Sequence, residues 1–175
     1  MDAIQILVHV ADNLKTSGIR LILALGVFFG ALGCLATLIS VIKRSRSGKP
    51  ANGMKALASF CLGAALIALQ QMMNKAAHTL SFGDVSLDAI AYAPESMGQA
   101  KLAIDAVLTL LRAVGFLFFY MGLQRMKRSL VDGHTGLSAR EDVSTGAVIT
   151  IAGILLACNP QLLDALQKTL GLTWN

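Results

Sequence analysis

The run from Leu21 to Ile42 contains only apolar or small residues and no charge. As a helix it is roughly 33 Å long, enough to cross the hydrocarbon core of a bilayer. It has no polar face, so it has no way to lie on a water-soluble core. Composition agrees: 55% of the 175 residues are hydrophobic and only 14% charged. Soluble domains carry about a quarter charged residues. Mean hydropathy is +0.64. These values exclude a disordered chain, a collagen-like chain and an ordinary soluble enzyme domain. They predict one small polytopic membrane unit.

The rest of the chain divides around that run. Residues 1–20 place Ile4, Leu7, Ala11 and Leu14 on one helical face and Asp2, His9, Asp12 and Asn13 elsewhere. This predicts a short N-terminal amphipathic helix, lying in the interface or packed on a neighbour. With no basic region ahead of an apolar core, no cleavable signal is expected, and the first span serves as an uncleaved insertion signal. Gly48, Pro50 and Gly53 mark a turn after Leu21–Ile42. A second span, Met54–Met73, follows and completes a first hairpin over 21–73.

Residues 74–101 hold Asp84, Asp88, Pro94 and Glu95 and read as an extracytoplasmic loop with some structure of its own. Leu102–Leu123 is a third span and 129–145 a polar loop. The fourth apolar run, Gly146–Cys158, is about 20 Å as a helix and too short to cross alone. Beyond Asn159-Pro160, Leu162, Leu163, Leu166 and Leu170 continue at helical spacing. The expectation is one long helix with a kink or break near Pro160 and an amphipathic tail. The predicted fold is all-α: two helical hairpins, 21–73 and 102–172, with about four membrane helices and the amphipathic lead.

Charge sets the expected orientation. The net charge is +5, and the basic residues flank apolar runs. That argues for membrane topology rather than sequence-specific nucleic-acid binding. Lys43, Arg44, Arg46 and Lys49 follow span one; Arg125, Lys127, Arg128 and Arg140 follow span three. The positive-inside rule puts both loops in the cytoplasm and residues 74–101 on the far side. Lys43-Arg44-Ser45 and Lys127-Arg128-Ser129 occupy matching places, which fits either a duplication or the same topological rule acting twice.

Three groups of residues stand out. Gly26, Gly30 and Gly33, with Gly63 on the second span, are candidate helix-packing residues, because glycine lets helix backbones approach closely. Asp105, Thr109 and Arg112 form an intramembrane polar stripe on one helix face. Asp105 and Arg112 lie about 10 Å apart along the axis, too far for a direct ion pair. A charge at the centre of a span costs about 2.5–3.5 kcal/mol, so Arg112 requires a partner. An acid on another helix, an aqueous path and a phosphate headgroup all fit that requirement, and a buried pair satisfied without any function fits it equally well. The basic groups Lys43, Arg44, Arg46, Lys49, Arg125, Lys127 and Arg128 are candidate lipid contacts, worth about 1 kcal/mol per charge near an anionic surface. Orientation alone also accounts for most of them.

No catalytic constellation is visible. Cys34, Cys61 and Cys158 lie in apolar runs without metal spacing, and His9, His78 and His134 lie in separate segments. No phosphate loop, GxSxG, HExxH or dinucleotide motif occurs. The chain reads as a non-enzyme without a metal or organic cofactor, with phospholipid as its one candidate structural ligand.

Residues 10–50, VADNLKTSGIRLILALGVFFGALGCLATLISVIKRSRSGKP, join an amphipathic lead, a glycine-rich span and a basic turn with proline. The second span contains Ser59-Phe60-Cys61-Leu62-Gly63-Ala64-Ala65-Leu66. This arrangement resembles the small inner-membrane proteins of type IVB secretion and I-type conjugative plasmids, the TraQ and IcmC/DotE or IcmD/DotP group. The resemblance covers roughly residues 5–70, and the remainder by architecture only. It implies a structural part in transfer of DNA or protein between cells. A pilin-type subunit that assembles with phospholipid is the leading expectation, with membrane lipid, further copies of itself and other secretion proteins as partners. It would reside in a bacterial inner membrane or an extracellular pilus. A non-polymerising accessory and a small channel, transporter or holin-like pore are the alternatives.

Overall fold

The structure is a computed structural model and describes residues 3–48, 53–86, 88, 90–130 and 136–171. Seven α-helices follow one another among these residues, with no strand. They are α1 (Ala3–Asn13), α2 (Ile19–Arg46), α3 (Gly53–Ile67), α4 (Leu69–Thr79), α5 (Gln99–Arg128), α6 (Gly136–Ala157) and α7 (Asn159–Leu170). Two of them, α2 and α5, are long and apolar enough to cross a membrane. The count rises to four if each of the bent pairs α3–α4 and α6–α7 forms one span.

The first helix is not separate from the first span. Leu14–Gly18 forms a π-helical turn, and both flanking residues keep right-handed helical angles. The helical rod therefore runs unbroken from α1 into α2. A wider turn of this kind absorbs one extra residue without ending the helix. Ala11 and Ile19, on either side of it, are both buried, and α1 packs along α5.

The expected second span, Met54–Met73, is not straight. The chain bends by 97° at Ala68, between α3 and α4. The reason lies in the residues beyond the bend. Gln70, Gln71, Asn74 and Lys75 give α4 a polar face, while Leu69, Met73 and Ala77 are buried in the core. Such a helix gains by lying across the core rather than by continuing in the direction of α3. At its end Ser81 adopts φ +63°, with Phe82 N–H donating to Ala77 O and Ser81 N–H to His78 O. This is a Schellman closure with serine where glycine is usual.

The fourth run also differs. The stretch 129–145 is not all loop: α6 begins at Gly136 and runs to Ala157. At 22 residues it is roughly 33 Å long, but its early turns carry Arg140, Glu141 and Asp142, and it is long and apolar enough to cross only if joined to α7. The break falls at Cys158, and α7 departs at 77°. Pro160 sits in the first turn of α7, where its missing N–H costs least. The break expected near Pro160 thus separates two helices.

Both hairpins close on glycine. A Cβ added to Gly30 would stand 2.7 Å from the Gly63 carbonyl oxygen, and one on Gly26 2.8 Å from that of Leu66. In the second hairpin a Cβ on Gly115 would meet the Gly153 oxygen at 2.7 Å, and one on Gly122 the Gly146 oxygen at 2.7 Å. The spacing is seven residues on each of α5 and α6, so antiparallel seams match turn for turn. The two hairpins touch less closely. They meet in the buried core, where Leu66, Leu69 and Met73 pack with Phe116, Phe119 and Ile154, and Lys127 Nζ adds a bond to Phe29 O at 3.2 Å over Gly33.

The second seam makes a direct prediction. Gly153→Ala places a methyl 2.5 Å from Phe119 N and is expected to cost about 1–3 kcal/mol by overpacking. Gly53→Ala, with nothing within 4 Å, serves as control. Unfolding of the detergent-solubilised chain followed by circular dichroism checks this. Equal midpoints for the two variants would show the seam to be loose.

Candidate functional site

The site is built on α5. Asp105, Thr109 and Arg112 share one face at i, i+4 and i+7. Thr109 and Arg112 are each only 5% exposed. Such groups in apolar surroundings must find partners. The partners come from the irregular segment between α4 and α5, which runs antiparallel along this face. Asp105 accepts from the N–H groups of Tyr92 and Ala93 at 2.9 and 3.0 Å. Thr109 Oγ1 accepts from Ile90 N–H at 3.4 Å and donates to Asp105 O at 2.7 Å. Arg112 Nη1 donates to Ser86 O at 2.9 Å, Asp88 O at 3.1 Å and Ser86 Oγ at 3.3 Å.

Each turn of α5 thus holds one or two residues of a segment that has no sheet or helix partner of its own. Asn74 of α4 adds a further tie, accepting from Val85 N–H at 3.3 Å. Val85 and Ile90 turn inward and are buried. Arg112 is a buried group whose partners are backbone carbonyls of the same chain rather than an acid on another helix. Its Nε is buried without a hydrogen-bond partner among the described residues.

The break between α6 and α7 packs on the same stretch. Asn159 Nδ2 donates to Leu108 O at 2.8 Å, and Cys158 is fully buried. Further along α7, Gln167 Nε2 donates to Tyr92 Oη at 2.7 Å. Burial, and then the Asp164 carboxylate, hold the Tyr92 phenol above its ordinary pKa. Tyr92, Pro94, Met97, Ile104 and Leu163 line a groove of about 370 Å³ beside this contact.

The other singled-out residues are spread widely. Gly26, Gly30 and Gly63 lie in the first hairpin seam, with Cys34 against Gly63. Gly33 lies outside it: a Cβ there would overlap Lys127 Nζ. Arg125 Nε donates to Asp142 Oδ1 at 3.1 Å, and Arg128 is exposed. Lys43, Arg44 and Arg46 end α2, where cations suit the helix dipole. Lys49 lies outside the described residues. The basic ends of α2 and α5 are not level. Lys127 meets Gly33, and Lys43 to Arg46 lie about 15–20 Å further along α2.

Sequence reasoning missed the residues that receive the stripe and the glycines of the second seam. The seam left a signal, the seven-residue spacing of Gly115 and Gly122 and of Gly146 and Gly153. The partners of Arg112 left none, because backbone carbonyls carry no residue type. Among the described residues no group of three or more His, Cys, Asp or Glu is placed to hold a metal. Comparison with protein-family models, with curated proteins and with solved structures finds no match.

Arg112→Met removes the donor from two carbonyls and leaves them buried. The expected cost is about 3 kcal/mol, concentrated in one segment. Hydrogen exchange at Ile90, Tyr92 and Ala93 should accelerate well before exchange in α2 does. Uniform acceleration across all helices, or none, would show that Arg112 does not hold the segment.

Proposed function

We propose that the chain is a membrane-embedded structural subunit of a cell-to-cell transfer apparatus, as its resemblance to the TraQ and IcmC/DotE or IcmD/DotP group implies, and that it performs no chemistry. One observation carries this reading. Asp105, Thr109 and Arg112 of α5 are directed at the chain's own backbone, so they brace the molecule. A pore or transporter of this size would instead leave such groups facing a water-filled path.

The same logic separates two forms of structural subunit. A filament built by glycine-to-glycine packing between copies needs free glycine faces. Here Gly30 faces Gly63, Gly115 faces Gly153 and Gly122 faces Gly146, all within one chain. That favours a subunit resident in the inner membrane over a pilin-type subunit extracted into a pilus with phospholipid. A filament would have to form through the apolar exterior of α2 and α3, where Ile39 is 63% and Leu57 60% exposed. Lipid is the simplest cover for those side chains. By the positive-inside rule the basic ends of α2 and α5 face the cytoplasm, and the segment held by Arg112 lies toward the other side.

Shearing cells that carry the complete transfer system tests the proposal. The protein is expected to stay in the membrane fraction, and Gly30→Leu to abolish transfer while membrane insertion persists. Recovery in sheared filaments would overturn the resident form and make the α2–α3 exterior a filament contact. Normal transfer by Gly30→Leu would overturn the structural role. Ion flux through reconstituted vesicles that Arg112→Leu abolishes would establish a pore instead.

A further inference from the structure

A cleft of about 840 Å³ lies between the two hairpins, with walls from α2, α5 and α6. One half is polar, with Gln124, Arg125, Arg128 and Asp142; the other is apolar, with Phe29, Met121 and Ile149. Arg128 stands seven residues beyond Met121 on α5. Asp142 stands seven residues before Ile149 on the antiparallel α6. Each separation is about 10 Å of helix. The cleft therefore grades from charged to apolar in the same direction along both helices.

Its charge is not balanced. Asp142 accepts from Arg125 at 3.1 Å. Lys127 is turned away, toward the Phe29 carbonyl. Arg128 forms no hydrogen bond or ion pair among the described residues. Among the described lining residues, two guanidiniums and one carboxylate leave a net positive charge. Lys127 lies against Phe29 and Gly33, so that charge stands beside the middle of α2, where Phe28, Leu32 and Leu35 are exposed. A bare cation level with a lipid-facing apolar surface is costly, by about 2.5–3.5 kcal/mol at full depth.

We propose that one anionic phospholipid occupies this cleft. Its phosphate sits on Arg128 and Arg125, and one acyl chain lies against Phe29, Met121 and Ile149. Guanidinium forks match phosphate oxygens in two parallel hydrogen bonds. The phosphate supplies the missing charge at the depth where the helices hold Arg128. The acyl chain fills the half that a free anion would leave empty. The bound lipid also bridges α2 to the second hairpin. The inference rests on the membrane-embedded reading alone and not on a role in transfer.

Native mass spectrometry of the full detergent-solubilised chain, titrated with phosphatidylglycerol, tests it. One phosphatidylglycerol per chain should survive transfer to the gas phase. Arg128→Gln should weaken retention about tenfold or more, and Ile149→Trp, which fills the apolar half, should do the same. Arg46→Gln, at the end of α2, should leave it unchanged. Circular dichroism confirms that each variant keeps its helix content. Absence of retention, or undiminished retention in Arg128→Gln, would overturn the proposal. An equal loss in Arg46→Gln would reduce it to general surface attraction. Equal retention of phosphatidylcholine would remove the requirement for an anionic headgroup. Displacement by inorganic phosphate would replace the lipid site with a simple anion site.

Discussion

The fold depends on how Asp105, Thr109 and Arg112 are satisfied. Three polar side chains on one face of a long apolar helix are a liability unless each has a partner. An irregular backbone segment with no sheet or helix neighbour is a liability of the same kind, since its N–H and C=O groups must also be met. The molecule resolves both by laying one on the other. Asp105 takes two N–H groups, Thr109 takes one, and Arg112 takes two carbonyls. This pairing holds Ser86, Asp88, Ile90, Tyr92 and Ala93 along α5. It also fixes the position of Tyr92, through which α7 is tied to the same segment.

Around that centre the helices pack by two different means. Within each hairpin, glycine removes the side-chain layer and lets backbones meet, so dispersion acts over many close contacts. Between the hairpins there is no such seam. There the large apolar side chains of Leu66, Leu69, Met73, Phe116 and Phe119 form the core, and one lysine reaches across to a carbonyl, over a glycine that leaves room for it. Gly33 looks like its neighbours Gly26 and Gly30 in sequence, yet it accommodates a cation rather than a helix. The stagger that results leaves the basic end of α5 beside the apolar middle of α2. The cleft between the hairpins takes its mixed character from that stagger.

Legibility varied with the range of the interaction. The spans Leu21–Ile42 and Leu102–Leu123 were readable because apolar length is a local property, and α2 and α5 contain them. The common face of Asp105, Thr109 and Arg112 was readable because helical period is local too. The bend at Ala68 was not, because no proline or glycine stands there. It follows from where the apolar stripe of α4 finds a core. The start of α6 at Gly136 was hidden because residues 136–145 are polar, and polarity alone does not distinguish a loop from a helix end that pairs with Arg125.

The sequence by itself determined the all-helical class, the two long apolar helices, the basic flanks and the existence of a polar stripe needing partners. Each of these follows from composition or from a period within one element. Only the tertiary structure decided what the stripe binds, which glycines face which, where the broken helices turn, and how far one hairpin is shifted along the other. Those depend on contacts between residues far apart in the chain. Many of the groups they use are backbone carbonyls and amides, which every residue carries and no sequence pattern marks.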